Sequence, residues 1–142
     1  MESSYRLFSG MPAALAGWFA PVVPLVSCAF CFIAADFITG VAASRAEARM
    51  AGRRWWFESA EAWRTVRKLA LVTTGIVMTW MLDRFILDFM ELHAAKLFTG
   101  FACGVEFWSF LENAATLSDA PFFRWMKRFV HHRIRKEVGD EQ

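Results

Sequence analysis

Three polar side chains, Glu106, Ser109 and Asn113, stand inside an apolar stretch of the chain and are its first candidates for chemistry. A carboxylate, a hydroxyl and an amide form hydrogen bonds, and an ionisable group inside a membrane helix is costly and usually functional. At about 100° per residue, the three side chains share one helix face with Ala102. The stretch therefore predicts a membrane helix with one polar stripe.

The opposite side of the same helix carries two glycines, Gly100 and Gly104, in a G-x-x-x-G step. Small residues four apart let another helix approach closely in lipid. The polar stripe and the glycine step together predict helix–helix contact. The alternative is a soluble helix with an exposed polar edge, and the rest of the chain decides between the two.

The composition favours the membrane. Of the 142 residues, 56% are hydrophobic and 16% aromatic, while 21% are charged, below the roughly 25% of soluble domains. A soluble domain of this length lacks the interior volume to bury so many large side chains. We therefore predict an all-α integral membrane protein, with residues 1–142 forming a single membrane domain.

Long apolar runs give three to four transmembrane helices. The predicted spans cover about 11–43, 67–87 and 97–117, each long enough to cross a bilayer. Pro21 and Pro24 interrupt the first span. It is either one kinked helix or a hairpin that turns at Gly17–Pro24, and the sequence leaves both open.

Basic segments alternate with an acidic one. Residues 44–68 and 118–136 are rich in Lys and Arg, whereas residues 83–96 are slightly acidic. The positive-inside rule places both basic segments, and with them the C-terminus, in the cytoplasm. The N-terminus then lies outside with three spans and inside with four.

The second basic segment contains an amphipathic pattern over residues 121–136, after a helix-start signal at Pro121. Its apolar side chains recur at helical spacing, and bases occupy the other side. Such a helix lies on the cytoplasmic leaflet, held partly by anionic lipids. The candidate membrane-surface residues are Arg124, Lys127, Arg128 and Arg135.

Asp36 lies near the end of the first span and needs a polar partner there. Arg64, Arg67 and Lys68 are candidates, because they begin the next span. The alternative is an interfacial carboxylate that faces water.

No constellation for catalysis, metal binding or cofactor binding is recognisable. Cys28 and Cys31 form C-x-x-C, but no second pair completes a ligand set, so the cysteines read as packing residues. Glu106 and Glu112 point about 120° apart on a helix, so they are not a paired-carboxylate site. We predict no enzyme activity, no cofactor, no metal and no nucleic-acid partner, since bases beside membrane spans are topology signals.

Four motifs in order resemble the toxin-secretion/phage-lysis holin family. They are D-F-I-T-G at Asp36–Gly40, a basic patch at Trp63–Lys68, E-x-x-S-x-L-E-N at Glu106–Asn113, and Pro121 followed by a basic helix. The similarity runs from about residue 17 to residue 128. The connector at residues 45–62 is richer in Arg and Trp than the family's usual one.

The resemblance implies a small protein that accumulates in the bacterial cytoplasmic membrane, self-associates and opens lesions, with a cell-wall hydrolase encoded nearby as a candidate partner. The bilayer and other copies of the chain are its other partners. A non-lytic scaffold subunit of a larger membrane complex is the alternative. The candidate residues for oligomerisation or pore formation are Asp36, Gly40, Gly100, Gly104, Glu106, Ser109, Glu112 and Asn113.

Overall fold

Helices make up the regular structure of the chain. The computed structural model describes residues 12, 14, 16–87, 89, 92–118, 121–123, 125, 128 and 129. A 3₁₀ turn at Ala20–Val22 precedes three α-helices: α1 (Val23–Met50), α2 (Ser59–Phe85) and α3 (Ala94–Leu117). Within the described residues there is no strand, so the predicted all-α class is confirmed.

The prolines near the start of α1 do not reverse the chain. Residues Ala16–Met50 form one helical stretch, with Pro21 in the 3₁₀ turn and Pro24 in the first turn of α1. Proline is tolerated at a first helical turn because its missing N–H would have no partner there. The hairpin alternative at Gly17–Pro24 is therefore not the one that the structure adopts.

The basic connector is shorter than the sequence suggested. The connector was expected to cover residues 45–62, but α1 continues to Met50 and α2 already begins at Ser59. The reason is local: Ala, Arg and Glu dominate this region, and all three favour helix. Much of the connector is thus formed by the ends of two helices.

A glycine ends α1. Gly52 has a φ of 63°, its N–H donates to the Arg49 carbonyl at 3.2 Å, and the N–H of Arg53 donates to the Ala48 carbonyl at 2.9 Å. This pair of bonds is the Schellman motif, which needs a left-handed residue that glycine adopts without strain. The motif turns Arg53 back toward the side of α1.

Small residues form the interior of the helix bundle. α3 packs most closely against α1, and α2 lies more loosely on both. Ile76 of α2 is the largest fully buried side chain. Small side chains let backbones approach closely, as in membrane helix pairs; those buried here include Ala29, Ala43, Ala48, Ala95, Cys103 and Ala114.

The outer surface of the bundle is apolar. Leu71 and Phe101 are each 74% exposed, and Phe30, Ile38 and Met78 are more than half exposed. Contiguous apolar surface of this kind marks contact with a membrane or another protein. It agrees with a chain whose helices are surrounded by lipid.

Two helical stretches are long and apolar enough to cross a membrane, Ala16–Met50 and Ser59–Phe85. α3 is not among them, because Glu106, Glu112 and Asn113 interrupt its apolar sequence. The predicted count of three to four spans therefore remains a prediction beyond these two.

Aromatic side chains gather where α1 begins and α2 ends. Trp18 packs edge-on against Phe19 and Trp80, with ring centroids 4.8 and 5.3 Å apart. Phe85 lies 6.3 Å from the Trp18 ring. Trp is enriched at membrane–water interfaces, so this cluster fits one edge of the hydrocarbon layer.

Asp83 joins the end of α2 to the start of α3. Its Oδ1 accepts from the Ala94 N–H at 2.9 Å and its Oδ2 from the Ala95 N–H at 2.8 Å. The first N–H groups of a helix have no partner inside the helix. The Asp83 carboxylate on α2 therefore caps the start of α3. Its negative charge is also attracted by the positive N-terminal end of the helix dipole.

Only part of the predicted amphipathic helix over 121–136 falls in the described residues. Positions 121–123, 125, 128 and 129 are helical, and Trp125 stacks on Phe129 with centroids 5.4 Å apart. Arg128 is exposed. Arg124, Lys127 and Arg135 lie outside the described residues, so the helix stays a prediction.

Candidate functional site

Each of the three helices contributes to one group of polar side chains, here called the polar cluster. It consists of Asp36 from α1, Lys68 from α2, and Glu106 and Asn113 from α3. Backbone groups inside an α-helix are already hydrogen-bonded to each other. These side chains must therefore find partners among themselves, and the packing of the helices decides which.

Lys68 bridges two carboxylates. Its Nζ donates to Glu106 Oε2 at 2.8 Å and to Asp36 Oδ2 at 3.5 Å. Asn113 Nδ2 donates to the other carboxylate oxygen of Asp36, Oδ1, at 3.0 Å. Hydrogen bonds to charged groups are shorter and stronger than neutral ones. The cluster thus ties all three helices together through side chains.

Burial makes these contacts necessary. The Glu106 side chain is 7% exposed and that of Asp36 is 13% exposed, while Lys68 keeps 42% exposure. A buried charge without a partner costs several kcal/mol. No buried side-chain N or O atom in the described part of the chain lacks a hydrogen-bond partner. With all three groups ionised, the cluster carries one surplus negative charge.

Gly40 permits the close approach of α1 and α3 at the cluster. A Cβ at this position would lie 3.4 Å from Nδ2 of Asn113, tighter than an ordinary contact. The hydroxyl of Thr39 is satisfied within its own helix, donating to the Ala35 carbonyl at 2.8 Å. In D-F-I-T-G the aspartate therefore supplies the polar contact and the glycine the space for it.

A groove runs along the exposed side of the cluster. It has a volume of about 350 Å³ and reaches the Ser109 side chain on α3. Glu61 and Arg64 of α2 line its outer part. The groove connects Lys68 to the surroundings, which explains why the lysine is more exposed than its two carboxylate partners.

The arrangement suits ion pairing rather than bond chemistry. Lysine, carboxylates and an amide hold one another, and no hydroxyl or thiol nucleophile is hydrogen-bonded to a base within the cluster. Among the described residues, no group of three or more His, Cys, Asp or Glu side chains could hold a metal ion. What the cluster can do is exchange partners when helices move.

The structure brings half of the sequence candidates together. Asp36 contacts Asn113 directly and is joined to Glu106 through Lys68, Gly40 lies beside Asn113, and Ser109 lines the adjoining groove. Of the three bases proposed as partners of Asp36, Lys68 is confirmed.

The remaining candidates lie elsewhere. Glu112 is exposed, away from the polar cluster. Gly100 and Gly104 have open space where a Cβ would stand. Neither glycine therefore supports packing inside the described bundle.

The bridging role of Lys68 was not predicted. The sequence suggested that Lys68 reaches out of the membrane at the start of a span, with Asp36 as a candidate partner, whereas its shorter contact is with Glu106. The sequence did contain a hint, because Lys68 on α2 could pair with acids on both α1 and α3. Recognising it requires the relative rotation of the helices, which periodicity does not supply.

The cysteines pack against each other across the bundle. Cys28 Sγ of α1 and Cys103 Sγ of α3 are 3.9 Å apart, and all three cysteines are free thiols. Cys103 belongs to the apolar core together with Ala29 and Ile76. The contact fits the expected packing role of small, soft side chains.

Comparison with known proteins gives one match. A family model described as the bacteriophage holin family matches residues 13–132. The matched range contains α1, α2 and α3 and all members of the polar cluster. No curated protein and no solved structure matches the chain.

Proposed function

The chain belongs to the bacteriophage holin family, and from this premise we propose that it oligomerises in the bacterial cytoplasmic membrane and opens lesions there. The lesions serve lysis or protein release, and a cell-wall hydrolase encoded nearby is the candidate protein that passes through them. The observation that carries the proposal is the polar cluster, which places two acids and a lysine inside an apolar bundle.

The cluster supplies both a closed and an open arrangement. In the closed one, Lys68 neutralises Glu106 and Asp36, so the bundle tolerates lipid around it. When helices separate, the same side chains lose their partners and require water or another subunit. Assembly of several copies around these side chains would give a lumen with a polar wall.

The face of α3 opposite the cluster supports self-association. At Gly100 and Gly104 a Cβ would meet nothing within 4 Å. Phe101 and Val105 flank the glycines and are 74% and 52% exposed. A groove of glycine between large apolar side chains accepts a second helix in lipid. We propose a second copy of this chain as that helix.

Three spans are the topology we propose, with α3 as the third. Its acid at Glu106 is paired with Lys68, which lowers the cost of placing the helix in lipid. The basic segments place the C-terminus in the cytoplasm, and with three spans the N-terminus then lies outside.

The test is controlled expression in bacteria with a membrane-potential dye. We expect rapid depolarisation and growth arrest after a delay. Glu106→Gln removes the buried charge opposite Lys68 and should shift the onset of depolarisation. Glu112→Gln, an exposed glutamate on the same helix, is the matched control and should keep the original timing.

Prolonged high expression with an intact membrane potential would contradict lesion formation. It would favour the alternative of a non-lytic scaffold subunit, in which the open face of α3 docks a different membrane protein. Equal timing for both glutamine variants would contradict the role given to the polar cluster.

A further inference from the structure

We propose that the C-terminal end of α1 carries a binding site for the headgroup phosphate of an anionic phospholipid. The site is a groove of about 550 Å³, here called the arginine groove. Its lining residues are Ile38, Val41, Ala42, Arg45, Ala46, Arg49, Arg53 and Trp55. The inference does not depend on lesion formation, because it concerns the part of the molecule that meets the membrane surface.

The groove has an apolar half and a cationic half, and their order along α1 matches that of the acyl chain and the phosphate in a phospholipid. Its residues on α1 recur at helical spacing, from Ile38 through Val41 to Arg45 and Arg49. Arg45 lies nine positions after Asp36, roughly 13 Å further along the helix. The apolar half therefore lies nearer the bundle centre, as an acyl chain needs, and the guanidinium groups lie nearer the helix end, as a phosphate needs.

Arg45 and Arg49 give the groove a positive charge. Among the described residues, no acidic side chain lines it, and both ion pairs are made by Lys68 rather than by an arginine. Arg53 and Trp55 also line a neighbouring groove, which contains Glu47, Glu58 and Glu61, whereas Arg45 and Arg49 line only the arginine groove. Charge complementarity thus selects the arginine groove for an anion.

Trp55 and Gly52 position the arginines of the cationic half. The Trp55 Nε1–H donates to Ser44 Oγ at 3.3 Å, and the Arg45 guanidinium lies 5.9 Å from the centre of its ring. A cation over an indole face is attracted by the ring. The left-handed Gly52 turns Arg53 toward Arg49. Arginine guanidinium groups donate paired hydrogen bonds to phosphate oxygens.

Native mass spectrometry of the full chain in detergent, titrated with phosphatidylglycerol or phosphatidylcholine, tests the proposal. We expect phosphatidylglycerol to be retained about tenfold more strongly, because the arginines of the groove attract its net negative headgroup. Arg45→Gln with Arg49→Gln should abolish this preference. The control, Arg54→Gln with Arg67→Gln, removes the same charge outside the groove and should keep it.

Three results would overturn the proposal. They are equal retention of the two lipids by the original chain, equal loss of preference in both double variants, and displacement of the lipid by millimolar inorganic phosphate, which would indicate a free-anion site. Circular dichroism establishes that each variant is folded. Arg45→Lys with Arg49→Lys provides a second variant that keeps the charge, and it should retain part of the preference.

Discussion

Lys68 determines whether the buried carboxylates of Glu106 and Asp36 have a positively charged partner. Without it, the carboxylates of Glu106 and Asp36 would lie in an apolar bundle with no cation to pair with, which costs several kcal/mol. With it, they form a three-helix contact at 2.8 and 3.5 Å. The lysine thus sets whether the bundle is stable in its closed arrangement.

Lys68→Met should lower the free energy of unfolding by about 2 kcal/mol, because it leaves two acids without their cation. Its partial exposure keeps the cost below that of a fully buried pair. Unfolding by SDS in mixed micelles measures the difference. Arg67→Met is the control, because Arg67 is an exposed neighbour that forms no ion pair with the described residues.

The double variant Lys68→Met with Glu106→Met distinguishes the ion pair from packing. Replacing both partners with apolar side chains leaves fewer unpaired charges, so the double variant should be more stable than Lys68→Met alone. If the two destabilisations simply add, the contact between the residues is not the source of the effect.

At the scale of residues, the sequence identified polar members of the cluster but not which of them contact each other. Glu106 and Asn113 were conspicuous because they interrupt an apolar run, and Asp36 because it ends one. Their contacts depend on how α1, α2 and α3 are rotated against each other, and that rotation is set by Gly40 and the small core residues together. Spacing along one helix does not contain this information.

At the scale of elements, the close fit of α2 against α3 depends on Gly75. A Cβ there would overlap the ring of Phe98, so any larger residue displaces the ring. The ring itself packs against the apolar core. Gly75 therefore does for α2 and α3 what Gly40 does for α1 and α3.

Gly75→Ala should destabilise the fold by about 1–3 kcal/mol through overpacking, although alanine is the better helix former. The same SDS unfolding experiment measures it. Combining Gly75→Ala with Phe98→Leu should recover stability, since the smaller side chain vacates the space. Gly17→Ala, where a Cβ meets nothing within 4 Å, should be close to neutral; equal losses at both glycines would contradict the role of Phe98.

The helices themselves were largely predictable, and their ends less so. The predicted span 97–117 corresponds to α3 at Ala94–Leu117, and 67–87 corresponds to α2 at Ser59–Phe85. The missing turns of α2 lie in basic sequence, where hydropathy gives no signal but helix propensity continues. The cap that Asp83 provides to α3 was also missed, because it joins positions on two different elements.

At the scale of the whole molecule, one face of the bundle has no partner within the described residues. At Gly100 and Gly104 the space that a Cβ would take is empty and is flanked by exposed apolar side chains. At Gly40 and Gly75 a Cβ would meet a side chain of the neighbouring helix. The contrast separates glycines that build one copy from glycines available to the next copy.

Gly100→Leu with Gly104→Leu should leave helical content unchanged and reduce cross-linked oligomers in membranes at least severalfold, because leucine closes the groove to a second helix. Chemical cross-linking followed by gel analysis measures the oligomers. Gly17→Leu is the control at another open glycine. Undiminished oligomers in the double variant would show that copies associate through a different face.

The cap at Asp83 gives α2 two unequal attachments. Near its end, α2 is attached to α3 by two hydrogen bonds from backbone N–H groups to the Asp83 carboxylate and by a short connection, while Lys68, fifteen residues earlier, is attached by side-chain ion pairs alone. We therefore expect any separation of α2 from α3 to be larger at Lys68 than at Asp83.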